Sequence, residues 1–243
     1  NGVGTRISEV WTDYTGRGVR VAVLDDGFDE THVDLVANYR QDLSYDFVLD
    51  QAGAAPVNAD DNHGTATLGL IAAARNGIGG VGVAYDVEAI GYRIDLSETV
   101  TPSGQAAQFM AATMAAINAD VDITSNSWGT ADAPFSTMSE YYQYSSAASA
   151  AAQLGRGGLG MIQLFAAGNG REDGEITTYD PVVNSPFAIV VAAAKQDGTV
   201  TSYSPPGSSI LVAAPGSDPA SIVTTDRMGE AGYNTAIGGD YTN

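Results

Sequence analysis

The sequence contains no cysteine, which excludes disulfides, thiolate nucleophiles and cysteine-ligated zinc and leaves stability to packing and to hard metal ions. Basic residues are nearly as scarce: Lys195 is the only lysine, and 10 Lys and Arg stand against 29 Asp and Glu, for a formal net charge of −19. Such a surface repels the phosphate backbone of a nucleic acid, so no nucleic-acid partner is expected. The same acidity serves solubility or attracts cationic peptides and calcium. No apolar run reaches the roughly 18 residues needed to cross a bilayer, so no membrane span is expected, and Asn1 does not open a charged-then-apolar signal sequence. Histidine occurs only twice, so each can be read individually.

What is present is enough apolar material, 44% of 243 residues, to bury a large core, and one domain over 1–243 is expected. Strand-length apolar runs at Val19–Leu24, Val87–Tyr92, Val121–Asn126, Met161–Ala166, Phe187–Ala193 and Ser209–Ala213 are separated by helix-length, Ala-rich segments. The clearest of these run from His63 to Arg75, Ser103 to Ala119 and Ser136 to Leu154, the last ending at Gly155. This alternation predicts a parallel sheet with helices on both faces. The small residues Ala147–Ala152 permit close helix packing. Gly77–Gly82 follows a helix instead of a strand, the wrong order for a dinucleotide cradle. Thr201–Asn243 reads as loops threading a final strand or two.

In open parallel sheets ligands sit beyond the carboxyl ends of the strands, and Asp25 and Asn169 each directly follow an apolar run. His63 opens a helix far enough downstream of Asp25 to allow a strand, a helix and a loop between them, so a hydrogen bond between the two is feasible. Asn169 offers two N–H donors from a glycine-flanked loop. His32 reads as a surface or helix-capping residue, and Ser202 and Ser204 as structural.

The segments Val21–Gly27, Asp61–Ala73 and Phe165–Gly170 together resemble subtilisin-type serine proteases. The Asp25-Asp26-Gly27 form, with Ser127-Trp128-Gly129, resembles the kexin/furin branch in particular, from about Trp11 to the last residue. The resemblance implies an α/β fold of three α/β/α layers with a central, mostly parallel sheet. It also implies a serine endopeptidase working through an Asp-His-Ser triad, with Asp25 orienting His63, His63 as general base and Asn169 as oxyanion donor. The nucleophile is expected in a Gly-Thr-Ser-x-x-x-Pro helix start shortly after the equivalent of Gly238–Asn243, and no serine of this sequence stands in that context. The chain therefore reads as the amino-terminal part of a catalytic domain, incomplete on its carboxyl side and inactive alone, with the serine-bearing segment as a partner on the same or a separate polypeptide.

For polypeptide substrates, the resemblance places Ser127, Trp128 and Gly129 along an extended peptide and Asp132 and Asp180 in a pocket for arginine or lysine at P1. It places Asp26 and Asp60 beside a basic P2, so cleavage after basic or dibasic residues is expected. Calcium is implied at Asp34, Asn76 and the carbonyls of Ile78 and Gly80, and at a second position using Asp132 and Glu175; Asp46 hints at a third. Departures occur at Thr130–Ala133, which lacks the family's proline and paired aspartates, at Arg171–Ile176, which replaces a Cys-containing loop, and at Pro205, where a glutamate is expected. A secreted or extracellular location follows from the resemblance. The competing reading is a catalytically silent relative that binds peptides or calcium.

Overall fold

The computed structural model describes residues 5–129, 138–180, 182–218 and 221–243. In chain order the helices are α1 (Ile7–Val10), α2 (His63–Ala72), α3 (Pro102–Asn118) and α4 (Met138–Gly158). The strands are β1 (Arg20–Asp25), β2 (Tyr45–Asp46), β3 (Gln51–Ala52), β4 (Glu88–Arg93), β5 (Ile123–Asn126), β6 (Ile162–Ala166), β7 (Ile189–Ala194), β8 (Ile210–Pro215), β9 (Thr224–Thr225) and β10 (Tyr241–Thr242). The chain groups into two compact units: Arg6–Leu96 with Val223–Asn243, and one built on Ser97–Ile222.

In the first unit the strand order is β3-β2-β4-β1. β1 and β4 pair in parallel from Arg20 opposite Glu88 to Asp25 opposite Arg93. Val21 to Leu24 are all buried, the unbroken apolar pattern of a strand covered on both faces. α2 packs against β1 and β9 through Gly64, Thr65, Leu68, Gly69 and Ala72. A Cβ at Gly69 would collide with the Thr225 hydroxyl, so glycine there permits the close approach. The Thr224 and Thr225 hydroxyls then donate to the Ala66 and Thr65 carbonyls, each at 2.7 Å. β10 pairs antiparallel with β9.

His32 departs from expectation. It is completely buried, its Nδ1 accepting the Asp34 N–H at 3.1 Å. That leaves the proton on Nε2, which donates to the Asp240 carbonyl at 2.9 Å. A sequence of alternating polar and apolar residues around position 32 gave no sign that residues 240–241 would cover it.

In the second unit β5, β6, β7 and β8 run parallel in that order. α3 starts at a Thr101 cap whose hydroxyl accepts the Gly104 N–H at 3.1 Å, with Pro102 in its first turn. It packs on α4, where buried Ala106, Ala112, Ala116, Ala147, Ala148 and Ala151 take little space. Helical geometry in α4 ends at Gly155, after which Arg156 and Gly157 take φ values of 52° and 62°. Behind β5 and β6 lies an aromatic cluster in which Phe109 meets Trp128, Tyr144 and Phe165 at ring separations of 5.6, 5.5 and 6.0 Å.

Candidate active site

Asp25 is the last residue of β1 and is wholly buried. Its Oδ1 lies 2.8 Å and its Oδ2 3.0 Å from His63 Nδ1, while the imidazole is 44% exposed. The remaining capacity of the carboxylate is taken by the Asp26 N–H on Oδ1 at 2.9 Å and the Thr67 hydroxyl on Oδ2 at 3.2 Å. With Nδ1 engaged by an acid, Nε2 is the nitrogen left to accept a proton from outside. The hydrogen bond to Asp25 raises the His63 pKa above its usual value, burial opposes this, and the charges of Asp25 and Asp26 add to the rise.

Asp26 turns inward to the start of α2, where Oδ2 accepts the His63 N–H at 3.0 Å and Oδ1 the Gly64 N–H at 2.7 Å. Burial and then the neighbouring Asp25 charge push its carboxyl up to about 6, against the two N–H bonds and His63. Asp60 is exposed. Asp61, which the sequence reading passed over, is buried: burial pushes its carboxyl up, but the Asn58 and Val57 N–H groups and Arg93 bring it below the usual range.

Arg93 is the other residue the sequence reading missed. Its guanidinium, 5% exposed, reaches Asp61 Oδ2 at 3.0 Å and Asp46 Oδ2 at 3.2 Å, and its Nε donates to the Asp26 carbonyl at 2.8 Å. The available clue was a lone arginine ending the apolar run of β4. For Thr67 the clue was its position one helical turn beyond His63. Asp46 is paired with Arg93 and accepts the Val48 and Leu49 N–H groups.

In the second unit Asn169 is exposed beyond β6, and its side-chain amide takes no hydrogen-bond partner among the described residues. Glu175 braces the loop: its Oε2 accepts the Gly170 N–H at 2.6 Å and its own N–H donates to the Gly170 carbonyl at 2.9 Å. Gly168 has φ +106°, and a Cβ there would press on the Glu175 carboxylate. Beside this loop a cavity of about 340 Å³ is lined by Ser125, Ser127, Phe165, Asn169, Ala192 and Tyr203, among others. Asp180 accepts the Val182 N–H at 2.7 Å, and its Oδ2 faces Gly129, 3.8 Å from where a Cβ would stand. Gly129 is exposed and Ser127 half-buried, whereas the Trp128 ring is only 8% exposed and belongs to the aromatic cluster, leaving its backbone for outside contacts. Asp132 lies outside the described residues.

Among the residues read as calcium ligands, Asp34 is fully buried. Its carboxylate accepts from Asn76 Nδ2 at 2.9 Å, the Gly80 N–H at 3.0 Å and the Tyr241 hydroxyl at 2.9 Å. These partners are all neutral. A buried carboxylate with only neutral donors suits a hard cation, while the Asn76 amide oxygen here accepts the Ile78 N–H at 2.9 Å. The described residues hold no group of three or more His, Asp and Glu able to bind a metal, so a cation there would depend on amide and carbonyl oxygens. At the second position the Glu175 carboxylate accepts the Gly170 N–H, and its companion Asp132 is not among the described residues.

Comparison with known proteins gives this arrangement a family. The model of the subtilase family, Peptidase_S8, matches residues 16–240. The chain belongs to the subtilase family. Within it, the chain is 34% identical to bovine furin over 229 residues, covering 90% of this chain and 28% of furin. It is 37% identical over 191 residues to the dibasic-processing endoprotease of Yarrowia lipolytica, covering 77% of this chain and 19% of that protein. It thus spans less than a third of the length of these relatives and falls in the kexin/furin-like part of the family. Among solved structures, the serine protease of Aeromonas sobria in complex with its chaperone superposes with a TM-score of 0.79 at 26% identity, covering 94% of this chain and 44% of that one. A cold-adapted subtilisin-like proteinase gives a TM-score of 0.68 at 22% identity, covering 93% of this chain and 71% of that one. The fold is the subtilisin-like, three-layer α/β/α arrangement of this family. No helix among the described residues is long and apolar enough to cross a membrane.

Proposed function

We propose that the chain supplies the acid, base and oxyanion donor of a serine endopeptidase that cleaves polypeptides after basic or dibasic residues. The serine lies in a segment outside these residues, as their small share of the relatives' length allows. The observation that carries the reading is the bond between fully buried Asp25 and half-exposed His63, 2.8 Å at Nδ1. Asp25 fixes the imidazole in the tautomer whose Nε2 removes the serine proton during attack on the peptide carbonyl. The resulting imidazolium is stabilised by Asp25 and returns its proton to the leaving amine, and a water then repeats the sequence on the acyl-enzyme. Asn169 is assigned the role of donating its amide to the developing oxyanion.

Specificity for basic residues is supported by the name of the Yarrowia relative, by the approach of Asp180 to Gly129 and by the acidity of the chain. Asp132, Asp26 and Asp60 are the further acids assigned to the P1 and P2 sides, and the backbone of Ser127–Gly129 to the extended peptide. Calcium at Asp34, Asn76, Ile78 and Gly80 would neutralise a buried charge and serve structure; Asp132 and Glu175 are the weaker second set. A secreted, extracellular setting is proposed from the kexin/furin-like relatives alone.

The test joins the chain to its serine-bearing segment and measures fluorophosphonate labelling together with cleavage of peptides ending in Arg-Arg or Ala-Ala at P2 and P1. Labelling of the joined protein but not of these 243 residues alone is expected, with Arg-Arg strongly preferred. Cleavage that persists unchanged in His63→Ala would sink the assignment.

A further inference from the structure

We propose that Asp26 is a positioning residue for His63, a role that rests on the reading of Asp25 and His63 as the acid–base pair. α2 begins at His63 without help from the residue before it, since the Asn62 side chain makes no cap bond. The first N–H groups of any helix need acceptors. Here the first two are taken by a carboxylate arriving from the end of β1, Oδ2 accepting from His63 at 3.0 Å and Oδ1 from Gly64 at 2.7 Å. The negative charge also suits the positive end of the helix dipole.

Asp25 and Asp26 are neighbours in the chain, so one grips the ring of His63 and the other grips the backbone from which that ring hangs. The distance between acid and base is thereby fixed by a single peptide unit. Asp26 is held in turn, its carbonyl accepting from Arg93 Nε at 2.8 Å and its N–H donating to Asp25 Oδ1 at 2.9 Å. Gly64 completes the fit: a Cβ at that position would stand 3.1 Å from Asp26 Oδ1 and collide with the Gly27 carbonyl oxygen. A carboxylate used this way acts on every turnover, whereas an acid serving only as a P2 pocket wall matters only when P2 is basic.

The experiment records the Nδ1 proton of His63 by NMR in the ¹⁵N-histidine-labelled chain, alongside the Trp11 indole proton, which donates to the Val83 carbonyl at 2.9 Å and reports folding of the same unit. Asp26→Asn keeps the shape but replaces one acceptor with an NH₂ group; Asp26→Glu keeps the charge but displaces it by a methylene. Both are expected to speed exchange of the Nδ1 proton with water by about tenfold or more, with the Trp11 signal unmoved. Exchange at the unsubstituted rate in both variants overturns the proposal, and so does a loss in Asn that Glu restores, which would mark a purely electrostatic effect. If Asp26→Asn loses the Trp11 signal, Asp26→Glu decides; loss in both assigns Asp26 to folding alone and also overturns it. Absence of a protected Nδ1 proton in the unsubstituted chain is a different result, one that removes the acid–base pair itself. In the protease joined to its serine segment, Asp26→Asn is expected to lower kcat by the same factor for peptides with Ala or Arg at P2, and a loss confined to Arg would return Asp26 to the pocket.

Discussion

At the scale of single residues the chemistry turns on how two adjacent carboxylates are spent. With His63 as the proposed base, its raised pKa should move the acidic limb of kcat/KM in the joined protease above the ordinary histidine value, because the base must be neutral to work. Asp25→Asn is therefore expected to lower that limb's midpoint while reducing turnover by about 10⁴ through the wrong tautomer, read from a pH–rate profile. Asn169→Ala should cost about 10²–10³ in kcat with little change in KM, the scale known for subtilisin's own asparagine. Asp26 has a folded-state pKa of about 6, above its unfolded value of 3.8. A carboxyl raised in this sense stabilises the fold fully below pH 3.8 and loses that contribution as pH climbs through 6. Relative to the parent, Asp26→Asn should thus gain stability between pH 4 and 7, measured as a narrowing gap in urea midpoints, whatever it loses at the helix start.

At the scale of elements, Arg93 ties three pieces of chain together: β2 through Asp46, the loop before α2 through Asp61 and the end of β1 through the Asp26 carbonyl. Arg93→Met leaves two buried carboxylates without their cation and should cost about 3–5 kcal/mol by denaturant unfolding, part of it recovered by adding Asp46→Asn. Gly64→Ala should cost about 1–3 kcal/mol, since the new methyl meets the Gly27 carbonyl. The six long strands and three long helices were legible from run length and from punctuation such as Gly155, although α2 stops at Ala72, short of the expected Arg75, and a bond between Asp25 and His63 was legible as feasible from their spacing. What stayed hidden was contact between distant segments. No local pattern announces that Asp26 would cap a helix begun far downstream, or that Glu175 would brace the loop of Asn169. Nor does one announce that Tyr241 would reach Asp34, because each depends on where a turn aims a side chain.

At the scale of the whole molecule, a net charge of −19 produces a long-range field that draws in cationic peptides and is screened over about 10 Å at 0.1 M salt. For the joined protease, kcat/KM on dibasic peptides should fall several-fold between about 0.05 and 0.5 M salt while neutral peptides change little, a comparison made at fixed pH. Calcium at Asp34 predicts that chelation lowers the thermal midpoint of the parent but not that of Asp34→Asn, read by calorimetry with and without chelator.

The packing of α2 on β9, and the pairing of β9 with β10, sets an order on folding during synthesis. The helix bearing His63 receives its backing from Thr224 and Thr225, and β9 in turn from Tyr241 and Thr242, residues that leave the ribosome last among the 243. A nascent chain therefore cannot complete the packing behind His63 before residues 224–242 have emerged. The support behind the His63 helix is thereby withheld, by connectivity, until translation has passed the far end of the unit.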